Sequence, residues 1–315
     1  MTATRLGRNR PSWFTRFRAV VRYEMLWNIR KKKFIGTVIV AFIFATLGWV
    51  LPVIISASTN QIINTNPDYA VTFTIPAFGM FLFALITVMN SISSEFESGT
   101  VVPLLTKPVS RTMVFLGKVL AAFIIILVTY TILFAYTIIG GIFVYGHQNN
   151  IHLVPLGLLG NIISTFIWVA IVLAAGALSK STIVSALIAL GVFMGLLLAV
   201  PIVSVFAGPS PALNYVPSSG ASGTMITTQG PITVGAGTDN IGANLINYAL
   251  YSSSNVDFNK TSIQIQDSQP RITQVFAYSE PISLVTARSV ATAVAYTIVF
   301  LFIAWIAFKR AQILE

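Results

Sequence analysis

The chain has 315 residues, of which 55% are hydrophobic and only 9% charged, with a formal net charge of +10 and no cysteine. Soluble domains carry about 25% charged residues, and a soluble fold of this size could not keep so much apolar surface out of water. Disulfides, thiolate catalysis and thiolate-bound metals are excluded. Nucleic acid is not the expected partner of the positive charge, because no aromatic-studded basic groove or nucleic-acid motif accompanies it.

Residues 1–33 hold ten basic side chains against one acid, Glu24. Trp13, Phe14, Phe17, Val20 and Val21 recur at helical spacing, with Arg18 and Arg22 on the other side. This predicts an interfacial helix lying in the lipid headgroups, and membrane lipid as its partner. Glu24 and Asn28 fall back on the apolar stripe and blur it. The apolar run behind it, Phe34 to Ser56, exceeds a signal-peptide core of about 7–15 residues and reads as an uncleaved first span.

Further apolar runs follow at Ala70–Ser91, Val119–Val144, Leu153–Leu178, Thr182–Ala207 and Ser289–Phe308. Each is long enough to cross a hydrocarbon core of about 30 Å. Only Ser179, Lys180 and Ser181 separate the fourth from the fifth, which predicts a tight turn. With the amino terminus inside, only Lys260, Arg271 and Arg288 of the 19 Lys and Arg fall outside. The positive-inside rule then places both termini in the cytoplasm, with a cytoplasmic loop over 92–118.

Residues 208–288 are rich in Ser, Thr, Asn, Gly and Pro and read as an extracytoplasmic insertion. Asn240–Ser252 has an amphipathic helical pattern. Ser262–Gln266 and Arg271–Phe276 alternate and are joined by a turn sequence, which predicts a β-hairpin. Asn259-Lys260-Thr261 forms a glycosylation sequon. His147 and His152 share a short polar loop, and two histidines without a nearby carboxylate make a poor zinc site. The expected fold class is an all-α polytopic membrane protein. It has six transmembrane helices, an amino-terminal interfacial helix and a small mixed insertion between spans five and six.

None of the six apolar runs contains Asp, Glu, His, Lys or Arg. Ion-coupled transporters usually place ionisable groups at membrane depth, and acid–base enzymes need them for catalysis. No catalytic residue, cofactor site or metal site is therefore expected. Pro52, Pro76 and Pro201 could break helices and free backbone carbonyls as ligands. Gly117-Lys118-Val119 lacks the hydroxyl residue after Lys and the upstream Gly of a phosphate-cradling loop, so any nucleotide would be bound by another polypeptide.

The densest polar cluster runs from Ser93 to Arg111. Glu95 and Glu97, with Lys107 and Arg111 beyond, are compatible with a short membrane-parallel helix. Such a helix would either dock a partner or rest on lipid. The run Glu95-Phe96-Glu97-Ser98-Gly99-Thr100, then Leu104-Leu105-Thr106-Lys107-Pro108-Val109-Ser110-Arg111, then Gly117-Lys118, closely resembles the signature of ABC type-2 permeases. Glu24 followed by Trp27-Asn28-Ile29-Arg30-Lys31 is similar to that family's segment before span one. The insertion before span six is larger than the short re-entrant turn of simple members.

The resemblance implies a six-span exporter subunit of the plasma membrane. It would dimerise with a second permease subunit and dock separate ATPase subunits, which bind the ATP. By that analogy the amino-terminal helix (Trp13, Phe17, Arg18, Arg22, Glu24) faces the ATPase. Glu95, Glu97, Gly99, Thr100, Lys107, Pro108 and Arg111 would transmit its closure. Gly191 and Gly195 lie on one helix face and permit close backbone approach, either within one subunit or between two. The resemblance favours the second. The apolar spans suggest a lipid, drug or peptide cargo. The alternative is a membrane anchor whose insertion binds a partner.

Overall fold

The computed structural model describes residues 12–58, 67–97, 110–228, 230–266 and 269–310, with the backbone alone over 260–276. Its helices are α1 (Trp13–Ile29), α2 (Lys32–Ser58), α3 (Tyr69–Thr72), α4 (Ala77–Val88), α5 (Ser93–Glu97) and α6 (Arg111–Tyr145). They continue as α7 (Val154–Ser179), α8 (Thr182–Ala207), α9 (Ile241–Leu250) and α10 (Ile282–Arg310). Six of the helical stretches are long and apolar enough to cross a membrane.

Helix boundaries follow local chemistry. Ser12 and Ser110 cap α1 and α6 by accepting from the N–H groups of Thr15 and Met113, each at 3.2 Å. Helix α7 stops at Lys180, which takes the left-handed φ of 54° and returns its N–H to Gly176 O. That residue makes the tight turn expected between spans four and five.

Helix α7 is the centre of the bundle, and Ile167, Trp168 and Val169 on it are buried. Phe81 of α4 stacks on Phe193 of α8 at 4.4 Å, and Trp168 meets both rings edge-on at 5.6 and 5.1 Å. A helix buried on every side must be apolar all round, which is why its sequence shows no amphipathic stripe. By contrast, α2 and α8 expose most of their apolar side chains.

Three expectations about the helices are corrected. Span two is interrupted: α3 ends at Thr72, Phe73 to Pro76 is non-helical, and α4 starts again at Ala77. Proline 76 cannot donate to a helical ladder and the residue before it avoids helical φ/ψ, so the chain breaks there. Helices α2 and α8 run through Pro52 and Pro201 without such a break. Helices α6 and α10 begin eight and seven residues before their apolar runs, at Arg111 and Ile282. They therefore carry Lys118 and Arg288 on helical extensions outside the apolar runs, which themselves hold no charge.

The insertion folds as expected in part. Helix α9 and the hairpin of β3 (Asn255–Gln266) and β4 (Gln269–Pro281) are present. A second hairpin, β1 (Ser222–Thr227) with β2 (Gly230–Gly235), was not foreseen, because Gly and Pro dilute its alternation. All pairings are antiparallel, in the order β2-β1-β3-β4. Met225, Val234, Val256 and Phe258 form its core with Ile282 and Val285 of α10.

This cap is fixed to the bundle by close backbone contact. A Cβ on Gly160 of α7 would stand 2.4 Å from Gly242 Cα of α9, so the two helices touch only because both positions lack side chains. Arg288 of α10 holds Glu280 of β4 with two hydrogen bonds of 2.8 and 2.6 Å. That fork locks the last strand to the last helix.

Candidate coupling site

Both described chain ends lie at the end of the bundle opposite the cap. There α5 binds α6, α10 and the start of α8 directly, and reaches α1 through Lys118. Glu95 Oε1 accepts from Lys118 Nζ of α6 at 2.6 Å, and the same ammonium donates to Glu24 Oε1 of α1 at 2.7 Å. Phe96 meets Phe308 of α10 edge-on at 6.0 Å. Glu97 accepts from Ser181 Oγ, Thr182 N and Thr182 Oγ1 at 3.0, 2.7 and 2.8 Å. Ser93 Oγ lies 3.0 Å from Thr182 Oγ1.

Lys118 and Glu24 are buried and Glu95 is partly buried, with side-chain exposures of 2%, 5% and 16%. Two carboxylates against one ammonium leave excess negative charge. Lys31 lies within electrostatic reach of Glu24 and Lys118, donating to Asn28 Oδ1 at 2.6 Å and resting over the Trp27 ring. Burial pulls the Lys31 ammonium down to about 7, with Glu24 acting against that shift. Among the described residues, Glu24 Oε2 and Glu95 Oε2 are shielded without hydrogen-bond partners. Such a cluster is weak evidence for stability, since desolvation offsets the attraction. It joins α1, α5 and α6 through a single ammonium.

Glu97 acts differently. Its carboxylate sits at the first turn of α8, where backbone N–H groups point outward and a negative charge is favoured. It ties α5 to the α7–α8 turn, so a displacement of α5 is felt by α8.

Helix α1 presents Val21, Glu24 and Asn28 to α6, while Trp13, Phe14, Arg18 and Arg22 are exposed and Trp13 stacks on Phe17 at 5.1 Å. The residues that blurred the apolar stripe are thus the packed ones. A Cβ on Gly117 would stand 2.6 Å from Val20 Cγ1, so this glycine lets α1 reach Lys118. Lys118 was missed as a site residue. The signal for it was a lone lysine opening an apolar run, beside a glycine, with an acid on the stripe of α1.

Of the predicted transmitting residues, the structure brings Glu95 and Glu97 into this hub. Arg111 Nη1 donates to Lys309 O at 2.9 Å, joining α6 to the end of α10. Gly99, Thr100, Lys107 and Pro108 lie outside the described residues. On α8, added Cβ atoms at Gly191 and Gly195 would meet nothing within 4 Å, so neither glycine serves packing inside this chain. No group of three metal-ligating side chains occurs among the described residues.

Six spanning helices, tied at one end by a buried ionic hub and capped at the other by a small sheet, define a multi-pass membrane protein. Residues 18–313 match the family model described as ABC-2 family transporter protein. The chain belongs to that family, whose members are membrane transport components rather than enzymes and typically work with an ATPase subunit. Comparison with curated proteins gives no significant match.

Proposed function

We propose that the chain is the membrane-spanning half of an ATP-driven exporter, working as a dimer on two separate ATPase subunits. Both termini and the hub face the cytoplasm of the plasma membrane, as the positive-inside distribution favours. The carrying observation is the position of α5. Through Lys118 it holds α1, through Phe96 α10, and through Glu97 the start of α8.

Closure of the ATPase pair would displace α5 and the amino-terminal helix, and the hub would pass that displacement to the spans. A packed network with two discrete arrangements transmits such a push better than a compliant one. The exposed aromatic side of α1 is suited to lipid headgroups. The open face of α8 at Gly191 and Gly195 is suited to a second copy. The cargo is an apolar or amphipathic molecule, and ATP is bound by the partner alone.

Affinity purification of the tagged chain from its native membrane, with mass spectrometry of what co-purifies, tests this reading. A near-stoichiometric ATPase is the expected result. Its repeated absence from intact, inserted protein would overturn the exporter and favour an anchor that works through its cap.

A further inference from the structure

A cavity of about 360 Å³ lies between α7, α8 and the cap, lined by Trp168, Phe193, Val200, Ser204, Gly220 and Asp239 among others. Its volume is at the lower end of the range of about 300–1,000 Å³ typical of small-molecule sites. The α8 side is a continuous stripe, Phe193, Leu196, Leu197, Val200, Pro201, Ser204 and Val205, at helical spacing. Gly191 and Gly195 fall on the opposite face of the same helix. A dimer formed on the glycines would leave the cavity free.

One feature of the lining does not fit an apolar crevice. Asp239 is half-buried, and its Oδ1 is shielded with no hydrogen-bond partner among the described residues. The Trp168 indole N–H is turned to the carboxylate from α7 without closing a hydrogen bond. Burial pushes the Asp239 carboxyl up to about 6, and the Trp168 N–H and the Ser219 hydroxyl only partly oppose this. A shielded carboxylate without a cationic partner is costly, and a ligand that supplies the cation recovers that cost.

We infer that this cavity binds an amphipathic organic cation, its charged centre at Asp239 and its apolar body along the α8 stripe. The site deepens the exporter reading by naming a cargo class, and rests on that reading only for calling the ligand a cargo. Binding itself needs no ATPase.

The test uses the full chain in lipid nanodiscs, with empty nanodiscs as the blank. Tetraphenylphosphonium and tetraphenylborate share one shape and carry opposite charges. The expected result is saturable binding of the phosphonium, with the borate weaker by about tenfold or more. Asp239→Asn should weaken phosphonium binding by a similar factor, and Asp239→Glu should retain most of it. Ser204→Phe fills the cavity without touching the carboxylate and should also abolish binding. Equal binding of the two ions would overturn the site, as would full affinity in Asp239→Asn or Ser204→Phe. If Asp239→Asn does not fold, the Ser204→Phe result decides alone. A chain that recruits an ATPase but shows no charge preference sinks this site and leaves the exporter. A chain that binds the cation but recruits no ATPase sinks the exporter and leaves the site.

Discussion

Asn161 Oδ1 of α7 accepts the backbone N–H of Ile75 at 3.0 Å, at the point where span two is not helical. Its amide donates to Gly157 O at 2.8 Å, so both ends of the side chain are used. Gln148 does the same one step earlier, accepting from Ala70 N at 3.0 Å. Freed backbone groups inside a membrane bundle must find partners in the protein, and these two amides are those partners. Asn161→Leu should therefore cost about 1–3 kcal/mol by stranding the Ile75 N–H. A thermal unfolding scan of the chain in nanodiscs reads this, and an unchanged midpoint would remove Asn161 from the account of the break.

Lys118→Met leaves two buried carboxylates facing each other. It should destabilise the chain by about 3–5 kcal/mol, the usual cost of removing one partner from a buried pair. Adding Glu24→Gln and Glu95→Gln should recover much of that stability. If the hub transmits motion, the triple variant should still fail to raise the activity of its ATPase when cargo is added. Full stimulation in a stable triple variant would reduce the hub to packing.

Glu97→Lys places a positive charge against the first N–H groups of α8, which repel it. Arg111→Glu turns a donor to Lys309 O into an acceptor. Both should insert normally and lose cargo-stimulated ATPase activity. Coupled turnover at the wild-type rate in both variants would separate α5 from transmission.

Gly191→Leu with Gly195→Leu adds side chains where the chain itself has nothing within 4 Å. The stability of the folded monomer should change by no more than about 0.5 kcal/mol, as is usual for surface changes. The yield of crosslinked dimer should fall several-fold. An unaltered yield would place the seam on another helix.

The Asp239 carboxyl stands at about 6 in the folded chain against 3.8 unperturbed. A raised carboxyl binds its proton more tightly when folded, so above about 6 the charged form weighs against the fold. Asp239→Asn should then raise the unfolding midpoint at pH 8. The gap should shrink as pH falls through about 6 and vanish below 3.8. A gap that persists at pH 3.5 would mean that burial of charge is not its cause.

The sequence by itself determined the number of spans, the tight turn at Lys180, helix α9 and the hairpin of β3 and β4. These depend on run length, on turn residues and on alternation, which are local properties of the chain. The motif at Glu95 and Glu97 was legible for the same reason. Lys118 stood in the same motif, but its bridging role was not legible, because it depends on Glu24, 94 residues away, coming to within 2.7 Å. Nor was the use of Asn161, whose partner Ile75 N is free because span two breaks at Phe73 to Pro76, or of Gln148, which takes a free N–H of the first turn of α3. The cavity at Asp239 was not legible either, because it forms only where α7, α8 and the cap pack together and bring Trp168 and Phe193 to the carboxylate's surroundings. Hydrophobic length fixes what enters the bilayer, whereas the pairing of polar groups there is fixed by which helices touch, and only the tertiary structure decides that.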